Sequence, residues 1–211
     1  MANKDHWRIK PTVGLGLLTF GASLEEVGQL DQVYGPVIAG GSVRIPDELV
    51  QDTIDQFGAD LTDEERQEIL DTYAALGPSA GRTTQVRGNG LVLDYEDDAL
   101  VEITLSAAHG MATFEGVEVF AAEPQELLEQ LERANGGPGR YRSTEAAFDA
   151  LAIAVSDFSE VRSGRTVTVI GPLDERHAER TLGIKRRPFI EPTERDQFVR
   201  HSWIADAGGS P

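Results

Sequence analysis

The sequence predicts an α+β protein: two related strand–helix–β-hairpin units forming a mostly antiparallel sheet packed on helices, with a helical hairpin inserted in the first unit. Three observations carry this. Capping boxes at Ser23-Leu-Glu-Glu26 and Thr62-Asp-Glu-Glu65 each open a segment with helical apolar spacing. Leu91, Leu93 and Tyr95, then Val101, Ile103 and Leu105, alternate with polar or opposite-face residues around a short acidic connection, the pattern of a β-hairpin. Residues 16–27 align with residues 116–127 at an offset of 100, with Gly16/Gly116, Phe20/Phe120, Ala22/Ala122 and Glu26/Glu126 identical. Each copy reads as a strand running into a capped helix and is followed by a hairpin, the mark of a tandem duplication. Phe20 and Phe120 are therefore expected to be equivalent and buried.

In chain order, residues 12–20 read as a strand interrupted by Gly14 and Gly16. Leu24, Val27, Leu30 and Val33 then line one helical face, which Gly35-Pro36 closes, and Gly40-Gly41 reads as a loop. Pro46 and Asp47 start a second helix with Leu49, Val50, Ile54 and Phe57 on one face, and a third turns Ile69, Leu70, Tyr73 and Leu76 inward. Residues 77–81 form a loop before the hairpin of residues 91–105. A strand is expected at residues 116–120 and a helix at residues 124–134, ended by Asn135-Gly-Gly-Pro138. Residues 151–155 read as a strand buried on both faces, paired with residues 166–170 across Ser163-Gly164. The resulting units are residues 1–110, with the insertion at about 45–77, and residues 111–172. Residues 173–211, punctuated by Pro172, Pro188 and Pro192, read as an irregular segment, all of it compatible with one compact domain.

Charge bounds the function. The 211 residues carry a net charge of −17 and no cysteine. Disulfides, thiolate metal sites and a Cys nucleophile are thereby excluded. So strong an acidity opposes generic binding to nucleic acid or anionic membranes. The whole excess lies in residues 1–172, and the densest part is residues 45–75, where Asp47, Glu48, Asp52, Asp55, Asp60, Asp63, Glu64, Glu65, Glu68 and Asp71 face Arg66 alone. A solvated surface that maintains solubility is the plainest account, and a surface for a basic partner is the alternative. The polar start and the short apolar stretches favour a cytoplasmic protein that does not span a membrane.

The segment Gly16-Leu-Leu-Thr-Phe-Gly21-Ala-Ser-Leu-Glu-Glu-Val27 resembles the F-G-M-[ST]-x-x-E-V segment of a broad set of small bacterial proteins, among them the β-lactamase inhibitory proteins and immunity-like proteins. The hairpin of residues 91–105 is similar to the strand pair that follows in such sequences. Ala22 stands where they usually carry Met. The resemblance implies a helix-plus-sheet module that binds proteins, sometimes to inhibit them.

Motifs for chemistry are sparse. Gly14-Leu-Gly16 and Gly88-Asn-Gly90 lack the remainder of a dinucleotide or phosphate loop, and His6, His109, His177 and His201 stand singly. Asp94, Glu96, Asp97 and Asp98 are nearly contiguous, without the alternation and glycine of a calcium loop, and read as a solvated turn. Lys185-Arg186-Arg187 reads as a contact onto the acidic body of the same chain. No catalytic or metal-ligating set and no cofactor is expected. The expectation is a non-enzymatic inhibitor or immunity-type protein that occludes a basic site on another protein, with Asp52, Asp55, Glu64, Glu65, Glu68, Glu96, Asp97 and Asp98 as its contacts. An enzyme or small-ligand binder with its site between the two units is the alternative.

Overall fold

A computed structural model describes residues 4–42, 53–54, 61–75, 82–190 and 192–204. The chain opens with a small meander, β1 (Ile9–Lys10), β2 (Gly14–Leu15) and β3 (Leu18–Thr19). Gly16 turns between the last two with φ +57, and a Cβ there would lie 2.0 Å from the His6 carbonyl oxygen, so only glycine fits. Helices α1 (Leu24–Gly28) and α2 (Asp31–Tyr34) follow. Ser23 and Glu26 form the expected capping box, each side chain accepting the other's backbone N–H. The Tyr34 hydroxyl donates to His6 O at 2.8 Å and accepts from Leu17 N at 2.9 Å, pinning the meander to the helices.

Four strands then run as a meander: β4 (Val37–Ser42), β5 (Thr83–Arg87), β6 (Val92–Glu96) and β7 (Ala99–Ser106). Gly40-Gly41, expected in a loop, therefore lies in an edge strand. Between β4 and β5 stands helix α3 (Asp63–Ala75), opened by the Thr62–Glu65 capping box. Ile69, expected inward on α3, is exposed, and of the second expected helix only Thr53 and Ile54, both helical, are among the described residues.

The second half repeats this order. Hairpin β8 (Thr113–Phe114) and β9 (Val117–Glu118) leads to α4 (Pro124–Asn135), with Pro124 at its first turn and Gly136 left-handed at its end. Strands β10 (Gly139–Arg142), β11 (Glu145–Phe148) and β12 (Ile153–Ser156) form a meander. Its fourth strand arrives after a separate hairpin, β13 (Ser159–Val161) and β14 (Val167–Val169). The expected pairing of residues 166–170 with residues 151–155 is thus replaced by β13–β14, and β12 lies between β11 and β15 (Thr181–Lys185). Residues 173–204, expected to be irregular, supply this central strand and the edge strand β16 (Val199–His201).

The nine-stranded order is β16-β10-β11-β12-β15-β7-β6-β5-β4. The two meanders meet through their fourth strands, antiparallel, with Gly183 opposite Thr104, the arrangement a two-fold axis between halves requires. Both helical segments pack on the same face. Val27, Tyr34, Leu127, Leu128 and Leu131 share one core with Leu93, Tyr95, Ile103, Leu105, Tyr141, Phe148, Ile153, Val155, Leu182 and Ile184.

The repeated corner differs in register from the sequence alignment. Phe20 N donates to Val13 O, and Val119 N donates to Ala112 O, an equivalence at an offset of 99. The helix caps, Ser23 and Glu123, correspond at an offset of 100. One extra residue in the second corner separates them, so Phe20 corresponds to Val119. Phe120 is buried at 7% exposure, and Phe20 is only half-buried at the core margin.

Candidate protein-interaction face

Strand register assigns every side chain to one side of the sheet. A continuous row on the side away from the helices reads Arg200, Arg140, Ala147, Ala154, Gly183, Thr104, Val92, Val86, Ala39, successive members being paired across neighbouring strands. The axis lies between Gly183 and Thr104, so Ala154 and Ala147 in one half correspond to Val92 and Val86 in the other.

The two halves of this row have different surroundings. In the second half, residues 186–190 and 192–198 cross it as a strap. A Cβ on Gly183 would lie 2.8 Å from the ring of Phe189, over which Lys185 Nζ sits at 4.2 Å. Ile190 and Phe198 pack on Ala147 and Ala154 as a second, smaller core. Arg142 places its guanidinium 4.5 Å over the Phe198 ring and donates to Gln197 Oε1 at 2.9 Å. The chain then rounds the β10 edge as β16. On the helix side Trp203 donates through Nε1 to the Tyr141 hydroxyl at 2.7 Å and through its backbone to Glu132 at 2.8 Å. Burial pushes the Tyr141 hydroxyl well above the ordinary phenol range.

In the first half no described segment crosses the row. Thr104, Val92 and Val86 are half-exposed, Ala39 is exposed, and Ile38 at the β4 edge is 65% exposed. Acidic groups lie beside them on the same face. Asp94 accepts a short hydrogen bond from Thr84. Glu102 pairs with Lys185 at 3.2 Å, its carboxyl raised above the ordinary range by burial and partly restored by that lysine. Where the halves join, a cleft of ≈ 430 Å³ opens between Arg82, Glu96 and Asp97 on one wall and Lys185, Arg186, Arg187 and Phe189 on the other.

The expected contact residues that are described fall on two elements, α3 and the β6–β7 connection. Asp52 and Asp55 lie outside the described residues. Glu64, Glu65 and Glu68 are exposed on α3, and the capping bonds from Thr62 hold the Glu65 carboxyl below its usual range. Glu96 pairs with Arg82 at 2.6 Å. Asp97 and Asp98 both take left-handed backbone (φ 49 and φ 63) in the two-residue connection of β6 and β7, the shape of a type I′ hairpin. Asp97 and Asp98 are both exposed, and Asp98 accepts from Leu24 N at 3.0 Å and so clamps the hairpin to the start of α1. That role is structural. Lys185 makes its contact with the acidic body, while Arg186 and Arg187 are exposed at the cleft rim.

Sequence reasoning passed over Val86, Val92 and Thr104. No chemistry marks them, and only the strand register puts them in one row. Arg87 was passed over as well. It is wholly buried on the helix side, paired with Asp31 and donating to Gly35 O at 3.0 Å. Among the described residues no three His, Cys, Asp or Glu side chains converge as a metal site, and no helix is long and apolar enough to cross a membrane. Comparison of the chain with protein-family models, with curated proteins and with solved structures gives no match.

Proposed function

We propose that the chain is a non-enzymatic protein-binding module, of the inhibitor or immunity type, which acts by occluding a basic site on a cytoplasmic partner. The observation that carries this reading is the unequal cover of a sheet built twice. One half has its outer face sealed by the strap, and the other presents Ala39, Val86, Val92 and Thr104 beside Asp94 and Glu102. Extended apolar and β-branched surface bordered by charge is the composition of a docking face. Exposed acids at Glu64, Glu65, Glu68 and Asp97 would steer a basic partner towards it, with a rate that falls as salt rises.

Affinity capture from a native lysate tests the reading. A partner retained by wild type and lost by Val92→Arg, with the melting temperature unchanged, supports it. Equal capture by both chains overturns the assignment of the face. A second reading, a small-ligand binder, draws on the cleft between the halves, whose rim carries Arg186 and Arg187. Binding of small anions that Arg186→Ala and Arg187→Ala together abolish would favour it.

A further inference from the structure

The strap is a built-in example of what a face of this sheet accepts. It brings an extended segment whose Phe189, Ile190 and Phe198 fill the row left shallow by Ala147, Ala154 and Gly183. That half carries Arg140, Arg142 and Arg200 on the same face: Arg142 donates to Gln197 of the strap at 2.9 Å, and Arg140 and Arg142 pair with Asp149 and Glu145 of their own half.

The two-fold relation carries this logic to the open half with two changes. The row there is fuller, Thr104, Val92 and Val86 standing where the second half has Gly183, Ala154 and Ala147. Its larger side chains leave less depth for an occupant than the second half does. The flanking charge is also reversed. Asp94 corresponds to Ser156 and Glu102 to Thr181, while Gly41 stands in the place of Arg142. We propose that the occupant of the open half is an extended or looped segment of another protein, presenting one large apolar side chain, best an aromatic one, between basic residues. This deepens the protein-binding reading and rests on it. Charge complementarity supplies the orientation, with a basic flank over Asp94 and beside Glu102, whose carboxylate already pairs with Lys185, and the apolar side chain covers Val92 and Thr104.

The test uses the full chain, methyl- and amide-labelled for NMR, and a short synthetic peptide carrying Phe-Ile between Lys and Arg residues. The expected result is saturable shifts at Val86, Val92 and Thr104, weakened at least tenfold when the peptide Phe becomes Ser, and absent for a version with Glu in place of Lys and Arg. Added salt should weaken binding further. Equal binding of the acidic version, no binding of either, or shifts confined to α3 would overturn the proposal. The same methyls shifting with chain concentration in the absence of peptide would also overturn it, naming a second copy as the occupant. The protein-binding reading is judged separately. A native partner lost by Val92→Arg, but contacting the face through an acidic or wholly polar segment, leaves that reading in place and removes this one.

Discussion

At the scale of single residues, buried charge decides more than surface charge. The Arg87 side chain is 0% exposed while its partner Asp31 keeps 46% exposure, so the pair is anchored at one end and solvated at the other. Replacing Asp31 by Ala strands a guanidinium in the core. The expected cost is about 2–4 kcal/mol, near or below the usual range for a broken buried pair because Asp31 is half in water. Arg87→Met, which removes the charge and keeps the volume, should cost less, and urea unfolding of the two variants would show the order. His109 gives a pH dependence. It is 4% exposed, its Nδ1 bonded to Ser106 and its ring 5.4 Å from Trp7, and burial lowers its pKa below the ordinary value. The unfolded chain then binds a proton that the folded chain refuses. The neutral-His contribution is present in full above the unfolded value of about 6.5 and is lost as pH falls towards the depressed one. His109→Phe should flatten the stability profile in that window, as chemical denaturation from pH 7 to pH 5 would record. On the surface, the hydrogen bonds from Arg176 hold the Asp174 carboxyl down at about 2. Arg176→Ala removes the guanidinium bonds and keeps the backbone N–H bond at 3.0 Å, so it should raise the value part of the way towards the ordinary carboxylate range, read by carbonyl-carbon NMR. The associated stabilisation is complete above the ordinary value near pH 4 and disappears as pH drops towards 2.

At the scale of elements, the strap and the repeated corner make the sharpest predictions. Gly183→Val puts side-chain carbon where the Phe189 ring lies and should lift the strap from the sheet, at about 1–3 kcal/mol for overpacking. Faster proteolysis within residues 186–198, ahead of the rest of the chain, is the expected signature. In the corners, Phe120→Ala should cost about 3–5 kcal/mol and Phe20→Ala roughly half as much, following their unequal burial. These elements also show where sequence was readable. The capping boxes, the hairpin centred on Asp97 and Asp98, and the stripe Leu127, Leu128, Leu131 announce themselves because one face of each is wet and the other dry. Strand β11 (Glu145–Phe148) and strand β15 (Thr181–Lys185) do not. They are covered on both sides, so Ala147 under Ile190 and Gly183 under Phe189 break the alternation that a half-exposed strand would show. Strand β4 failed for the opposite reason. Gly40 is required where its missing Cβ would lie 2.9 Å from the Thr84 carbonyl oxygen, and glycine pairs in sequence usually signal loops.

At the scale of the whole molecule, duplication followed by divergence explains both the symmetry and its breaking. Two four-stranded meanders joined through β7 and β15 bury their helix faces in one core, which leaves one broad outer face for other use. The C-terminal segment takes half of that face, and the remainder, which no described segment crosses, is the face proposed for docking, legible only once register is known. The net charge of −17 was visible at once, and three of the acids it pointed to also serve the fold: Asp98 clamps α1, Glu96 holds Arg82, and Glu65 closes a capping box. The central claim is that the open half of the sheet receives a protein partner. Isothermal titration of the captured partner against wild type and Val86→Arg tests it most directly, because Val86 lies in the middle of the open row and contributes nothing to the buried core. A loss of affinity of at least a hundredfold for the variant, with its thermal unfolding unchanged, is the predicted result; an affinity equal to that of wild type would contradict it.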